Sequence, residues 1–371
     1  MNSDILGRHK AAMEHFGLDA LVAYSKENVA YGAGYTVPSQ HLNIRNRQFA
    51  VACNRDGRTS MLLTANELPE AQARSAIKDL RPYDEFADNP MAVLANILTD
   101  LGVAQGRIGL EMDAIPADRW EVLRRALPRA RWEHGAEAFH FARMIKTPGE
   151  LDRLRQAARI ADAAQAEAHA QVREGMTEQD VYRLIVDRAL AHGAESILTV
   201  QVAAGERSTY SNPTPSQRRL NRGEVVKIDV FVTVGGYLSD TGRAIVIGRA
   251  TPEQLEIWAQ MQETLAAIHA TIRPGARTGD LWRVFIETFA KYRMVPAMRF
   301  LGHGLGLSLH EEPFIAAHTD TVLEAGMVFA IEPVYKTHDG VGFHLEDNLI
   351  VTATGVENMT SRFGPDLIVL G

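Results

Sequence analysis

Two aspartates interrupt a stretch of the chain that is otherwise apolar and rich in β-branched residues. Asp229 and Asp240 fall within residues 224–247, where two runs of valine and isoleucine flank Gly235 and Gly236. This pattern predicts a β-hairpin whose two turn residues both need positive φ. Two carboxylates in an apolar strand pair either find arginine partners, lie on the solvent side of an edge hairpin, or bind a divalent metal.

The turn also predicts the register of the two strands. If Val234 pairs with Tyr237, then Asp229 lies opposite Gly242, and Asp240 becomes its diagonal neighbour on the same face of the sheet. Two like charges removed from water side by side destabilise each other as well as losing hydration. A positive partner is therefore required, and this stretch alone does not decide between arginine and a metal ion.

A repeated segment later in the chain extends this pattern. Residues 172–185 align without gaps with residues 272–285, at an offset of 100 and with four identities. Residues 220–229 align with residues 323–332, and both segments end on a carboxylate. Two copies are too few for a solenoid, so they predict one globular domain with a pseudo-twofold axis.

The repeat gives each half two carboxylates. Asp229 and Glu332 occupy equivalent positions, and each is followed across a strand pair by a second acidic residue, Asp240 or Glu346. Four carboxylates that converge near an axis need cations, and two divalent ions satisfy them. His303 stands between glycines in a strand-like run and is a candidate for a further ligand, because small neighbours allow close approach.

The elements before this domain alternate between helical and strand periods, which predicts a complete α/β domain. Its polar stretch 39–47 is interpreted as a solvated loop. We expect no catalytic chemistry in this domain. The predicted elements are helices at 4–16, 66–78, 90–102 and 117–127 and strands at 19–24, 48–53, 59–64 and 107–110.

A change in the sequence pattern near residue 140 predicts the domain boundary. Thr147 is a suitable helix N-cap with Glu150 three residues later, and the alanine-rich helix that follows is expected to end near Val172. We therefore predict domains at 1–140 and 141–371.

The composition limits the classes of partner. The chain has 371 residues, 46% of them hydrophobic and 23% charged, as in ordinary globular proteins. The first residues lack the apolar core of a signal peptide, no segment suits a membrane span, and the single cysteine excludes an internal disulfide, so a cytoplasmic location is expected. A net charge of −7 without basic clusters argues against nucleic acid or an anionic membrane as partner.

Together these residues resemble the pita-bread metallohydrolases, which include methionine aminopeptidase, aminopeptidase P, prolidase and the metal-free creatinase. The family's five metal ligands map in order onto Asp229, Asp240, His303, Glu332 and Glu346. The resemblance implies an α/β N-terminal domain followed by an α+β pita-bread domain with internal pseudo-twofold duplication. It also implies two divalent metal ions, and the oxygen and nitrogen ligands suit Mn, Co, Fe or Zn.

Two segments narrow the resemblance to the branch of creatinase, prolidase and aminopeptidase P. Residues 28–35 look like a motif of its N-terminal domain, and residues 143–146 look like its interdomain junction. In this branch the first domain covers the pocket of a neighbouring subunit. We therefore expect a homodimer, in which His41, Arg45 and Arg47 are candidates for the contact.

The chain departs from the family on the substrate side. Asn212 stands where relatives usually carry a histidine, Phe231 where they commonly have glycine, and His344 where an arginine commonly helps to hold the substrate's carboxylate. His310 matches the second histidine of the family pattern. The resemblance places all four residues at the substrate, and it makes Glu332 the general base.

The expected chemistry is hydrolysis of a C–N amide bond by water activated between two cations. His310 and His344 are expected to stabilise the tetrahedral oxyanion. The resemblance implies a small-molecule or short-peptide substrate, in the first place an Xaa-Pro dipeptide or peptide. A hydrolase or lyase of a small metabolite such as ectoine, creatine or dimethylsulfoniopropionate is the alternative, and a metal-free binding module is a third hypothesis.

Overall fold

A six-stranded mixed sheet organises Met1–Arg143, the first of two units into which the chain divides. The structure is a computed structural model and describes residues 1–371. The strands are β1 (Ala20–Ala23), β2 (Ala50–Asn54), β3 (Thr59–Thr64), β4 (Asp79–Tyr83), β5 (Arg107–Leu110) and β6 (Arg131–His134). They lie in the order β4-β3-β2-β1-β5-β6, and the pairs β1–β2 and β2–β3 are antiparallel while the others are parallel.

The helices of this unit accompany the sheet, and two predictions about them were wrong in detail. The helix predicted at 66–78 begins as a 3-10 turn at Ala65–Glu67 and ends at Arg74, before Ser75 takes an extended conformation. The stretch 39–47 is not entirely loop, because a helical turn starts at Pro38. The helices are α1 (Ser3–Phe16), α2 (Lys26–Ala33), α3 (Pro38–His41), α4 (Leu68–Arg74), α5 (Pro90–Asp100), α6 (Ala117–Ala126) and α7 (Ala136–Met144).

The second unit, Met144–Gly371, contains two five-stranded sheets and a short two-stranded sheet. Its helices are α8 (Pro148–His169), α9 (Glu178–Ala191), α10 (Pro252–Thr271) and α11 (Thr278–Lys291). Its strands are β7 (Ser196–Ala204), β8 (Val225–Val234), β9 (Tyr237–Leu238), β10 (Thr241–Ile247), β11 (Phe300–Gly304), β12 (Glu311–Ala316), β13 (Val328–Ile331), β14 (Val334–Lys336), β15 (Gly342–His344), β16 (Asp347–Val351), β17 (Val356–Asn358) and β18 (Ile368–Leu370). The predicted N-cap of α8 is confirmed, since Thr147 and Glu150 form a capping box.

The predicted hairpin register is confirmed. Gly235 and Gly236 have φ of 58° and 80°, so the turn has positive φ at both central residues. Val234 pairs with Tyr237, and the same ladder continues into β10. Asp229 therefore lies opposite Gly242.

The internal repeat is visible in equivalent hydrogen bonds of the two halves. The amide of Gly175 donates to the carbonyl of Leu220, and the amide of Gly275 donates to the carbonyl of Leu323, each at 2.9 Å. Both glycines have positive φ, 84° and 87°. The strand order β7-β8-β10 in one sheet corresponds to β11-β13-β16 in the other. Each half therefore contributes an equivalent set of buried strands to the unit.

The core of the second unit lies between these sheets and their helices. Fully buried Phe285, Phe289 and Phe329 anchor the cluster formed by α10, α11 and the second sheet. Val200, Val230 and Ile245 belong to the corresponding cluster of the first sheet, which packs against α8 and α9. None of the helices combines the length and apolarity needed to span a membrane.

Candidate metal centre

The first half supplies two buried carboxylates. Asp229 lies in the middle of β8, paired with Gly242, and its side chain is buried. Asp240 lies in the break between β9 and β10, and only 3% of it is exposed. The glycine turn sets the spacing of the two residues, so their placement follows directly from the local sequence.

The second half supplies two more carboxylates, each just after the end of a strand. Glu332 follows β13, where its amide donates to the carbonyl of Leu301 at 2.8 Å. Glu346 follows β15, and its amide donates to the carbonyl of Gly242 in the first half at 3.0 Å. Both side chains are buried, Glu346 to within 1%. The main chains of the two halves are thus joined where the carboxylates meet.

His303 projects into this cluster from β11. Its Nδ1 donates to the carbonyl oxygen of Gly304 at 3.0 Å, which leaves the lone pair of Nε2 available to a ligand. Nε2 lies 3.4 Å from a carboxylate oxygen of Asp240 and 3.4 Å from one of Glu332. The ring is fully buried.

The pKa values show that the negative charges of this buried cluster destabilise one another. Burial raises the pKa of Asp240 to about 7, and burial together with the neighbouring carboxylates raises the pKa of Glu346 well above its usual value. Burial alone would raise the pKa of Glu332, but the nearby His303 and His344 lower it to about 2. Desolvation lowers the pKa of His303, yet Asp240 and Glu332 outweigh it and raise that pKa to about 10. The buried carboxylates therefore stabilise positive charge on the neighbouring imidazole.

The donor atoms fit a divalent cation. Asp229 Oδ1, both carboxylate oxygens of Glu346 and Nε2 of His303 are buried without a hydrogen-bond partner, which is costly unless a ligand supplies the contact. One donor atom each from His303, Glu332 and Glu346 lies within 4.8 Å of the others. Oxygen and imidazole donors of this kind suit Mn, Fe, Co or Zn.

Two side chains that are not candidate ligands, Arg243 and Asn348, fix the strands that carry the ligands. Arg243 alternates to the face of β10 opposite Gly242, and its Nη1 donates to the carbonyls of Gly242, at 2.8 Å, and Glu346. Its Nη2 donates to Oδ1 of Asp347 at 2.7 Å. Asn348, fully buried, accepts from the amide of Asp240 at 3.0 Å and donates to its carbonyl. The main chain around both ligand pairs is therefore fixed across the two halves.

A cavity of about 510 Å³ opens over the cluster. The structure brings Asn212, Phe231, His310 and His344 to its wall together with Asp229, Asp240 and Glu332. The other residues of the wall are Thr199, Gln201, Ser208, Tyr210, Ser211, Lys227, Met298, Phe300, Leu309, Val334 and Lys336.

His310 lies beside the cluster with its ring stacked on that of His303. The two ring centroids are 3.7 Å apart and the rings are nearly parallel. Burial and the neighbouring His303 lower the pKa of His310 to about 4. The imidazole is therefore neutral near pH 7 and carries a single N–H donor.

The comparisons with known proteins agree with this geometry. The sequence model of Metallopeptidase family M24 matches residues 152–353, which contain all five candidate ligands. The chain belongs to metallopeptidase family M24. It is a metal-dependent hydrolase, and the model of the Creatinase/Prolidase N-terminal domain matches residues 6–145.

Relatives that match this M24 chain over 90% or more of its length include proteins named as dipeptidases. A putative dipeptidase of Bacillus subtilis, YkvY, is 29% identical over 96% of this chain and 97% of its own. An Xaa-Pro dipeptidase of Lactobacillus helveticus is 28% identical over 90% of both chains. The crystal structure of dipeptidase PepE from Mycobacterium ulcerans has a TM-score of 0.85 and 27% identity, and the match covers 99% of this chain and 97% of that one. The predicted pita-bread fold is thereby confirmed.

Several residues at the M24 site were not anticipated from the sequence. Lys227 lies two residues before Asp229 on the same face of β8, so strand alternation alone would have placed it there. It is buried and its ammonium donates to the carbonyls of Tyr210 and Ser211, which holds the loop that carries Asn212. Arg243 and Asn348 carry no comparable sequence signal, because their partners come from the other half of the unit. Lys336 carries none either, because the cavity that it lines is formed by segments distant in the chain.

Proposed function

We propose that this protein is a dipeptidase that cleaves Xaa-Pro dipeptides with two divalent cations held by Asp229, Asp240, His303, Glu332 and Glu346. The observation that supports this most is the set of four buried carboxylates and one imidazole that face a cavity with unpartnered donor atoms. A volume of about 510 Å³ is within the range of small-ligand sites. When bound, such cations polarise a carbonyl and lower the pKa of water.

Glu332 is the general base in this proposal. It lies beside His303 at the cavity wall, so its carboxylate is placed to accept the proton of the attacking water. His310, neutral and partly exposed to the cavity, donates its N–H to the oxyanion that forms on the scissile carbonyl. Phe231 and Phe300 supply apolar surface against which a proline ring can pack.

Lys336 is proposed to hold the carboxylate of the dipeptide. It lies on β14 two residues after Val334, and both line the same cavity. Its ammonium has no ion-pair or hydrogen-bond partner in the protein and is exposed, whereas the ammonium of Lys227 is engaged by two carbonyls. A free cation at the cavity wall distinguishes a dipeptide from a longer chain by its terminal charge.

The substrate assignment is tested with matched peptides in the presence of Mn²⁺. Xaa-Pro dipeptides, the same dipeptides as C-terminal amides, creatine and ectoine are offered to the wild-type protein and to Lys336→Met. We expect cleavage of the free dipeptides, and an increase in KM of up to about 5-fold in Lys336→Met for these alone, because an exposed ion pair contributes up to about 1 kcal/mol. Lys291→Met, which removes an exposed lysine paired with Glu263, is the control.

Two outcomes would contradict the proposal. Turnover of creatine or ectoine without turnover of any dipeptide would favour a small-metabolite hydrolase, the alternative that His344 in place of arginine keeps open. Equal changes in KM for dipeptides and their amides would remove Lys336 from carboxylate recognition.

A further inference from the structure

His344 lies inside the carboxylate cluster. Its ring is 2% exposed, and neither ring nitrogen has a hydrogen-bond partner. Nε2 lies 3.5 Å from a carboxylate oxygen of Glu332 and 3.5 Å from one of Glu346, and Nδ1 lies 3.8 Å from one of Asp229. A buried imidazole with both nitrogens unsatisfied lacks the contacts that such a group normally makes.

The backbone of β10 makes room for this ring. Gly242 pairs with Asp229, and a Cβ at position 242 would lie 2.6 Å from Cε1 and 2.9 Å from Nε2 of His344. The imidazole therefore packs directly against the strand that lies beside Asp229. Its position is set by this close approach, so its nitrogens point at the carboxylates at the base of the cavity.

We infer that His344 is a sixth protein ligand of the metal centre and binds the cation held by Asp229 and Glu346. This inference rests on the proposed function and replaces the substrate-side role predicted for His344 from the sequence. One donor atom each from Asp229, His344 and Glu346 lies within 4.8 Å of the others, as expected for ligands of one ion. The centre then contains two imidazoles and four carboxylates.

A second imidazole changes the metal preference. Imidazole nitrogen suits Zn and Fe, whereas carboxylate-rich sites suit Mn and Mg. His344→Gln is therefore expected to lower the affinity for Zn²⁺ by at least about 10-fold, and the affinity for Mn²⁺ by less, since even residues behind a metal ligand typically contribute 10–100-fold. His338→Gln, which alters an exposed histidine in the β14–β15 loop, should change neither affinity.

Competition titrations followed by metal analysis measure these affinities without reference to turnover. An unchanged ratio of Zn²⁺ to Mn²⁺ affinity in His344→Gln would overturn the inference. So would an increase in KM for free dipeptides, but not for their amides, at unaltered metal affinity, because that pattern belongs to a residue that contacts the substrate carboxylate.

Pulsed EPR of the Mn²⁺-loaded protein with ¹⁵N-labelled histidine gives an independent readout that does not require a His344 variant. Imidazole coupling should persist in His303→Gln, because His344 remains bound. Loss of all imidazole coupling in His303→Gln would refute the assignment. The assignment would also be refuted if the imidazole coupling persisted in His303→Gln but disappeared in the double variant that adds His310→Gln, since the second imidazole would then be His310.

Failure of this inference is distinct from failure of the proposed function. A wild-type protein that binds no stoichiometric metal, or that cleaves no dipeptide when loaded, contradicts the proposed function itself. A wild-type protein that binds metal and is active, while His344→Gln retains the same metal affinities, contradicts the sixth ligand alone.

Discussion

At the scale of single residues, the centre is a set of charges that disfavour one another until a cation arrives. Asp240 and Glu346 have raised pKa values because burial and like charges act together, whereas Glu332 is kept ionised by two imidazoles. Ligand loss and loss of fold are therefore separable, since removing one carboxylate relieves repulsion while it weakens metal binding.

Asp240→Asn tests this in the metal-free protein. The folded-state pKa of about 7 exceeds the unfolded value of 3.8, so between these pH values the folded protein retains a proton that the unfolded chain has released. The contribution of Asp240 to stability therefore falls as pH rises from about 4 to about 7 and is constant above. We expect metal-free Asp240→Asn to match the wild type near pH 4 and to be more stable by a few kcal/mol above pH 7, at about 1.4 kcal/mol per pKa unit.

Urea unfolding in the presence of a chelator at several pH values measures the difference. Asp187→Asn, at an exposed position of α9, is the control and should show no such trend. A wild-type protein that is the more stable of the two at pH 8 without metal would contradict the account of the cluster.

At the scale of elements, the glycine turn between β8 and β9 sets the register of the two aspartates. Gly236 has φ of 80°, a conformation that costs a residue with a Cβ roughly 1–2 kcal/mol. Gly236→Ala should therefore lower the free energy of unfolding by about that amount, and Gly236→Asn by less, because asparagine tolerates left-handed backbone. Thermal unfolding compares the variants, and equal stability of Gly236→Ala and wild type would show that the turn is not constrained as described.

The same elements show what the sequence predicts and what it leaves out. Local signals sufficed for the hairpin at Gly235 and Gly236 and for the cap at Thr147, because turn chemistry and capping depend on neighbours in the chain. They failed for α2, which is buried on most of its surface and so lacks a 3.6-residue alternation, and for β4, whose Pro82 disfavours a strand.

The residues of the site divide in the same way, into those that the local sequence predicts and those that it does not. Asp229 and Asp240 are placed by one hairpin, and the repeat identifies their counterparts in the second half. Arg243 and Asn348 were missed because each reaches about one hundred residues along the chain to its partner, to Glu346 and Asp240 respectively. Pairing between halves leaves no periodic trace in either segment.

At the scale of the whole molecule, metal binding should stabilise the folded chain. Ions that bind only the folded state raise its stability by RT ln(1 + [L]/Kd), or about 2.7 kcal/mol at a concentration of 100 Kd. The melting temperature of the wild-type protein should rise with added Mn²⁺ and fall with a chelator, while that of Asp240→Ala should respond to neither. A wild-type melting temperature indifferent to both would contradict a metal centre.

The homodimer stays a prediction, which light scattering at micromolar concentration decides.

The two faces of β10 have different tasks. Gly242 faces the ring of His344 and leaves room for it, whereas Arg243 faces away and fixes the backbones of both ligand strands from the opposite side. The scaffold that positions the ions is thus independent of the side chains that meet the substrate. Cavity residues such as Asn212, Phe231 and Lys336 can be exchanged over evolutionary time without moving the ions, so one inherited reaction centre can be redirected to new amide bonds.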